Sequence, residues 1–161
     1  MMQKFRTRAQ SESGFTLVEL LVVILILGIL AAIAIPSFLN QRNKATDASA
    51  KSAVRTAQTA METYATENNG NYTGADVAKL QAIEQTLTDN PASTLTVTGN
   101  AGTGTPTANA YRVTVTSSSG ARTFYISRNG GSTARGCVVP AAAGDNGGCQ
   151  NPTGTPAIGT W

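Results

Sequence analysis

Few residues in this chain of 161 could do chemistry. It contains no histidine, so the usual catalytic triads lack their base and ordinary zinc sites lack a ligand. Two features remain: a single carboxylate, Glu19, inside an otherwise apolar stretch, and a pair of thiols, Cys137 and Cys149. A carboxylate at the centre of a membrane helix costs roughly 2.5–3.5 kcal/mol, so Glu19 calls for a partner or a place near the headgroups.

Two glycine-containing segments lack the residues that a ligand site of their kind requires. The glycines between Gly99 and Gly104 are not followed by Lys-Ser or Lys-Thr, as a phosphate loop requires. Asp145-Asn146-Gly147 has too few carboxylates for a calcium loop. We therefore expect no enzyme activity, no cofactor and no metal.

The stretch that contains Glu19 predicts a membrane-length helix. All sixteen residues from Leu20 to Ile35 are apolar. As a helix, residues 15–38 would span about 36 Å at ~1.5 Å per residue, which exceeds a hydrocarbon core of ~30 Å. The basic residues before it favour a cytoplasmic N-terminus, with the rest of the chain outside: Lys4, Arg6 and Arg8.

Two ordinary interpretations compete for this segment. A secretory signal would be cut at Ala32-Ile33-Ala34, but its apolar region is usually only about 7–15 residues long. A plain membrane anchor accounts for the length and the basic flank. It leaves Gly14, Phe15 and Glu19 without a purpose.

The helix is predicted to continue to about residue 67, because residues 37–68 contain neither glycine nor proline. A bend is predicted near Pro36, since a proline inside a helix removes a hydrogen bond. Apolar residues recur there at steps of three and four, which places them on one face: Ala50, Val54, Ala57, Met61 and Tyr64. Asn68-Asn69-Gly70 ends the helix. A short helix is predicted around residues 75–87.

Alternating residues further on predict an antiparallel sheet of three or four strands at about residues 94–140. Val113 and Val115 alternate with threonines, and Phe124 and Ile126 alternate with polar residues, with a turn at 117–120 between them. A last short strand includes Cys137, and the tail from Pro140 is predicted to lack regular structure. The result is an α+β fold shaped like a ladle, with the apolar half-helix protruding and the striped half-helix laid on the sheet.

The two cysteines lie beyond the membrane span. An oxidising location favours a disulfide, which would close a loop of residues 137–149 and contribute ~3 kcal/mol in the chain-entropy model. Two free thiols or half of a metal site are the alternatives.

The N-terminal residues resemble the leader and first helix of a type IV pilin precursor of the N-methylphenylalanine family. The resemblance rests on the basic leader, on Gly14-Phe15-Thr16-Leu17-Val18-Glu19 and on the apolar run to Pro36. It is close over about the first forty residues and extends to the rest only in layout. It implies that a prepilin peptidase removes residues 1–14, that the new Phe15 amine is methylated, and that Glu19 acts in assembly. Residues 15–38 would be the assembly half-helix, and 39–161 the extracytoplasmic domain, with variable regions at 68–94 and 137–149.

The function expected from this resemblance is structural. The chain would enter the cytoplasmic membrane as a precursor and then polymerise with copies of itself into an extracellular pilus for adhesion, twitching motility or DNA uptake, helped by the peptidase and the assembly machinery. The alternative is a pseudopilin of a type II secretion or competence system. A membrane-anchored binding protein that never polymerises would leave the cleavage motif unexplained. Without residues 1–14 the net charge falls from +3 to +1, so the basic balance does not indicate a nucleic-acid site.

Overall fold

The computed structural model describes residues 14–88, 93–118, 122–141, 146–154 and 157–161. Two helices and a 3-10 turn precede six strands: α1 (Leu17–Glu67), α2 (Val77–Ile83), the turn Gln85–Leu87, β1 (Ser93–Thr98), β2 (Ala110–Ser117), β3 (Thr123–Asn129), β4 (Ser132–Val139), β5 (Gln150–Thr153) and β6 (Ala157–Thr160). The chain divides into two units, Met1–Phe38 and Leu39–Trp161. The predicted leader before Gly14 and half of the predicted turn at 117–120 lie outside the described residues.

The core of the second unit lies between α1 and the sheet. The five apolar residues predicted to share a helix face are all buried, which confirms the stripe: Ala50, Val54, Ala57, Met61 and Tyr64. They form one cluster with the inward-facing residues of the central strands: Tyr111, Val113, Val115, Phe124 and Ile126. The predicted α+β fold is confirmed. The helix ends where expected, since Gly70 N–H bonds back to the Ala65 carbonyl and Asn69 adopts a φ of 55°.

The sheet is antiparallel and has the order β1-β2-β3-β4-β6-β5. The predicted hairpin is β2–β3, with Val113 opposite Ile126 and Val115 opposite Phe124. Burial alternates along β2 as the sequence pattern requires. The expectation of three or four strands ending near residue 140 was wrong, because two further strands follow and carry the sheet to Thr160.

Strands β5 and β6 were missed because their composition resembles that of a loop. Gly159 lies opposite Cys137, and a Cβ at this glycine would approach the Gln150 carbonyl oxygen to 2.3 Å and Cys149 Sγ to 3.0 Å. Only glycine fits there. Pro152 occupies β5, the edge strand, where the missing N–H is tolerated.

Cys137 and Cys149 form a disulfide, as predicted, with their Cα atoms 5.8 Å apart. The bond joins β4 to the segment that leads into β5. That segment also contacts α1, because Lys51 Nζ donates to the Gly148 carbonyl at 2.6 Å and Gly148 N–H donates to Asp47 Oδ2 at 3.2 Å. The C-terminal loop is therefore attached to the helix as well as to the sheet.

A buried ion pair lies at this attachment. Arg122, which precedes β3, has its Nη1 3.4 Å from Asp47 Oδ2, and both side chains are almost completely buried. Gly147 adopts a φ of +53°, and a Cβ there would lie 2.1 Å from Asp47 Oδ2. The glycine thus leaves room for the carboxylate. The pair links the helix, the β2–β3 connection and the disulfide loop.

A second polar cluster surrounds Glu62. Its carboxylate accepts hydrogen bonds from the Tyr72 hydroxyl at 2.7 Å, the Tyr111 hydroxyl at 2.8 Å and Arg128 Nη1 at 3.0 Å. Burial, followed by the bond to Glu62 and its charge, raises the pKa of Tyr72 to about 12 and also raises the pKa of Tyr111. Glu62 therefore joins α1, the segment after it and the sheet.

Removing the charge of Asp47 should destabilise the second unit strongly. Asp47→Asn keeps the shape but leaves Arg122 as a buried charge without its carboxylate, so we expect a loss of about 3–5 kcal/mol in the free energy of unfolding. Denaturant unfolding monitored by circular dichroism measures it. The matched control is Asp76→Asn, because Asp76 caps α2 from an exposed position and asparagine caps equally well. Equal stability of the two variants would contradict the role of the ion pair.

Alkaline pH should weaken the Glu62 cluster. A tyrosine whose folded pKa is above the unfolded value of about 10 stabilises the fold fully below pH 10, and this contribution is lost as pH rises towards 12. We expect Tyr72→Phe to lower stability at pH 8 but to flatten its decline between pH 10 and 12. Thermal unfolding of both proteins across this range tests it, and parallel curves would refute it.

Candidate functional site

The candidate site is the beginning of the first unit, where the sequence predicts cleavage and assembly. Gly14, Phe15 and Thr16 precede α1, which starts at Leu17. Gly14 is exposed, and a Cβ on it would meet nothing within 4 Å. Phe15 is 84% exposed. The chain itself therefore places no constraint on the residue type at position 14.

Glu19 is not the isolated carboxylate that the sequence suggested. Its Oε2 accepts hydrogen bonds from the Thr16 backbone N–H and the Thr16 hydroxyl, both at 2.9 Å. In return, Glu19 N–H donates to Thr16 Oγ1 at 3.2 Å. This reciprocal arrangement is a capping box, which satisfies two amide groups that a helix start otherwise leaves unpaired.

The sequence signal for this cap was present but was overlooked. Thr16-x-x-Glu19 before an apolar run is the expected pattern of a capping box. Glu19 thus has a local role in starting α1. Its other oxygen, Oε1, has no partner among the residues described, so the carboxylate retains capacity for a further donor. Removal of residues 1–14 would leave the Thr16 N–H and its bond unchanged.

The surface that follows is apolar on every side. The large apolar side chains from Phe15 to Leu39 are 47–84% exposed. α1 is long and apolar enough in this part to cross a membrane, judged by length and composition. Pro36 lies inside the helix, whose assignment continues through it, and the bend at this residue remains a prediction. A cylinder of exposed apolar side chains needs lipid or other apolar helices around it.

The remaining predicted site residues are the cysteines, which the structure joins in the second unit. Within the ranges that the structure describes, no group of three or more His, Cys, Asp or Glu residues could hold a metal. The charged residues that the second unit brings together, Asp47 with Arg122 and Glu62 with Arg128, form structural contacts rather than a reactive centre.

The family model for the prokaryotic N-terminal methylation motif matches residues 10–35. This range holds the capped helix start and most of the exposed apolar segment. The N-terminal part of the chain therefore resembles the type IV pilin and pseudopilin family, whose members are structural rather than enzymatic.

Related proteins fall into two groups. The chain is 41% identical over 58 residues to the type II secretion system core protein G of Aeromonas hydrophila, covering 36% of this chain and 41% of that protein. It is 41% identical over 69 residues to the type IV wide pilus major component PilA4 of Thermus thermophilus, covering 43% and 52%. It is also 41% identical over 56 residues to the type IV major pilin protein PilA of Myxococcus xanthus, covering 35% and 26%.

These matches span about half or less of each relative's length. No solved structure gives a significant match.

Proposed function

We propose that this chain is the structural subunit of a type IV pilus. It enters the cytoplasmic membrane with its N-terminus inside, is cleaved after Gly14 and methylated on Phe15, and polymerises into an extracellular filament. The observation that carries the proposal is the exposed apolar half of α1, which begins with a capped carboxylate. Such a surface needs lipid before assembly and copies of itself afterwards.

Polymerisation needs an interaction that sets the axial position of one helix on the next. Lipid tails and neighbouring helices are equally apolar, so hydrophobicity provides little net drive and no register. Glu19 Oε1 remains able to accept a donor while Oε2 holds the cap. The Phe15 amine of a neighbouring subunit is a suitable donor, because an ion pair away from water favours docking at one offset. The cap holds the carboxylate ready for this contact.

The second candidate is a pseudopilin of a type II secretion or competence system. It is favoured by the several relatives that carry the name type II secretion system core protein G. The C-terminal disulfide favours the pilus subunit by resemblance to pilins. Electron microscopy of sheared surface filaments with peptide identification separates the two: long filaments containing this chain support the pilus, whereas lost protein secretion in a deletion strain without such filaments supports the pseudopilin.

Processing should produce a mature chain that begins with methylated Phe15. Mass spectrometry of the N-terminal peptide tests this, and a start at Ile35 would establish a secretory signal instead. Gly14→Val should block cleavage without altering the fold, since a side chain at Gly14 meets no other residue. Gly28→Ala is the matched control, because its Cβ also meets nothing within 4 Å and it lies away from the cut. Normal maturation of Gly14→Val would contradict the proposed site.

The charge of Glu19 should be required for filaments separately from its cap. Glu19→Gln keeps a side-chain oxygen that can cap Thr16 but loses the charge. We expect the Glu19→Gln and Glu19→Ala subunits to be cleaved and inserted into the membrane. They should form at least tenfold fewer filaments, which corresponds to a loss of at least ~1.4 kcal/mol in the binding free energy of each docking step.

Thr16→Val is the complementary variant, since it removes the hydroxyl contacts of the cap and keeps the carboxylate. It should retain most filaments. Counts by microscopy, with immunoblots of cleaved subunit in the membrane, give the comparison. Abundant filaments made of Glu19→Gln alone would show that the charge pair is dispensable.

A further inference from the structure

The outer face of the sheet, turned away from α1, contains a pocket of about 330 Å³. Along β2 and β3, residues alternate between the core and this outer face, so Arg112 and Tyr125 lie opposite the buried positions. The pocket is lined by these two, by Ala134 and by four polar residues of β3, β4 and the loop after β1: Asn100, Ser127, Asn129 and Ser132. Neither the processing segment nor the disulfide loop contributes to it.

Arg112 and Tyr125 form a stacked pair whose position depends on two glycines. The Arg112 guanidinium carbon lies 4.3 Å from the centre of the Tyr125 ring. The ring lies directly across Gly136, where a Cβ would come within 2.2 Å of the tyrosine oxygen. On the other side, Gly102 adopts a φ of +85°, and a Cβ there would lie 2.7 Å from Arg112 Nη1. The backbone therefore approaches the pair closely from both sides and holds it in place.

The guanidinium is poorly compensated in this position. Arg112 Nε is buried and has no hydrogen-bond partner among the described residues. Arg112 is also the one charged residue of the seven that line the pocket. A planar guanidinium presents a fork of N–H donors that matches the two oxygens of a carboxylate. The charge and the donors of this pocket thus select an anion, and the planar fork favours a carboxylate.

The rest of the lining suits hydroxyl groups. The side chains of Ser127 and Ser132 and the amides of Asn100 and Asn129 both donate and accept hydrogen bonds. Ligand pockets usually measure about 300–1,000 Å³, so this one is suited to a single ring rather than a long chain. We propose that it binds a monosaccharide-sized acidic sugar, a polyhydroxylated ring with one carboxylate. This activity would be additional to filament formation and does not depend on it.

The test uses the full chain purified in detergent and titrated with galacturonate by calorimetry. We expect saturable binding, with galactose and acetate each at least about tenfold weaker, because each lacks one half of the recognised chemistry. Digalacturonate distinguishes the source of the sugar: retained or tighter binding indicates a glycan terminus, and loss indicates a free sugar acid. The absence of saturable galacturonate binding, or equal binding of acetate, would overturn the proposal.

Variants locate the binding. Arg112→Gln should weaken galacturonate at least about tenfold, and Arg112→Lys, which keeps the charge without the fork, should lie between it and the wild type. Arg135→Gln is the matched control, since Arg135 is an exposed arginine of β4 that stacks on Trp161 rather than lining the pocket. Its affinity should not change.

Ala134→Leu fills the pocket from an exposed strand position without altering Arg112, and should also abolish binding. If circular dichroism shows that Arg112→Gln is misfolded, the affinity of Ala134→Leu decides whether this pocket is the binding site. Wild-type affinity in Ala134→Leu, or equal losses in Arg112→Gln and Arg135→Gln, would refute the assigned site.

Discussion

A single helix, α1, must be stable in two different surroundings, and this constraint governs the rest of the chain. Its first half is apolar on every side and exposed, whereas its second half carries one apolar face that the sheet covers. The change occurs between Phe38 and Asp47, where exposed apolar residues give way to polar ones and then to the buried stripe. The second unit has its own core, its own disulfide and its own ion pairs, which stabilise it.

Those polar contacts position the helix on the sheet. Alanine occupies several positions of the stripe, among them Ala50, Ala57 and Ala60, and such short side chains distinguish poorly between neighbouring registers. Asp47 and Glu62 lie near opposite ends of the stripe, and each contacts a different part of the sheet unit. A shift of α1 by one turn, about 5.4 Å, would separate both carboxylates from their donors. It would leave Asp47 as a buried charge without its partners, which is the costlier of the two losses because Glu62 is partly exposed. The ion pairs therefore act mainly by excluding other registers, and the alanines allow the close approach.

The sequence predicted those features of the fold whose pattern lies within one short segment of the chain. The apolar run, the stripe and the β2–β3 hairpin depend on periodicity within one segment, and the structure confirms them. Asp47 was missed although it extends the stripe, three residues before Ala50, because a lone acidic residue there gives no sign of Arg122, which is 75 residues away. β6 was missed because Gly159 is required by its contacts with Cys149 and Gln150, which exist only in the fold. The capping box of Thr16 and Glu19 was missed for a different reason. Its pattern lies within four residues, but Glu19 was interpreted only as a charge in an apolar segment.

There is a physical reason why the resemblance to other proteins is confined to the N-terminal part of the chain. The methylation motif covers residues 10–35. Under the proposed function, a peptidase, a lipid bilayer and neighbouring helices would all act on the same few side chains there. Each of these sets its own requirement, so little variation is compatible with all of them. The sheet has to keep only alternating apolar residues towards α1 and a few ion pairs, and many sequences meet that condition. Its outer face is free of even this requirement, since none of the outer-face side chains that the structure describes belongs to the core cluster. Binding properties can therefore differ on that face between subunits that share one assembly mechanism, and the Arg112–Tyr125 pocket lies there.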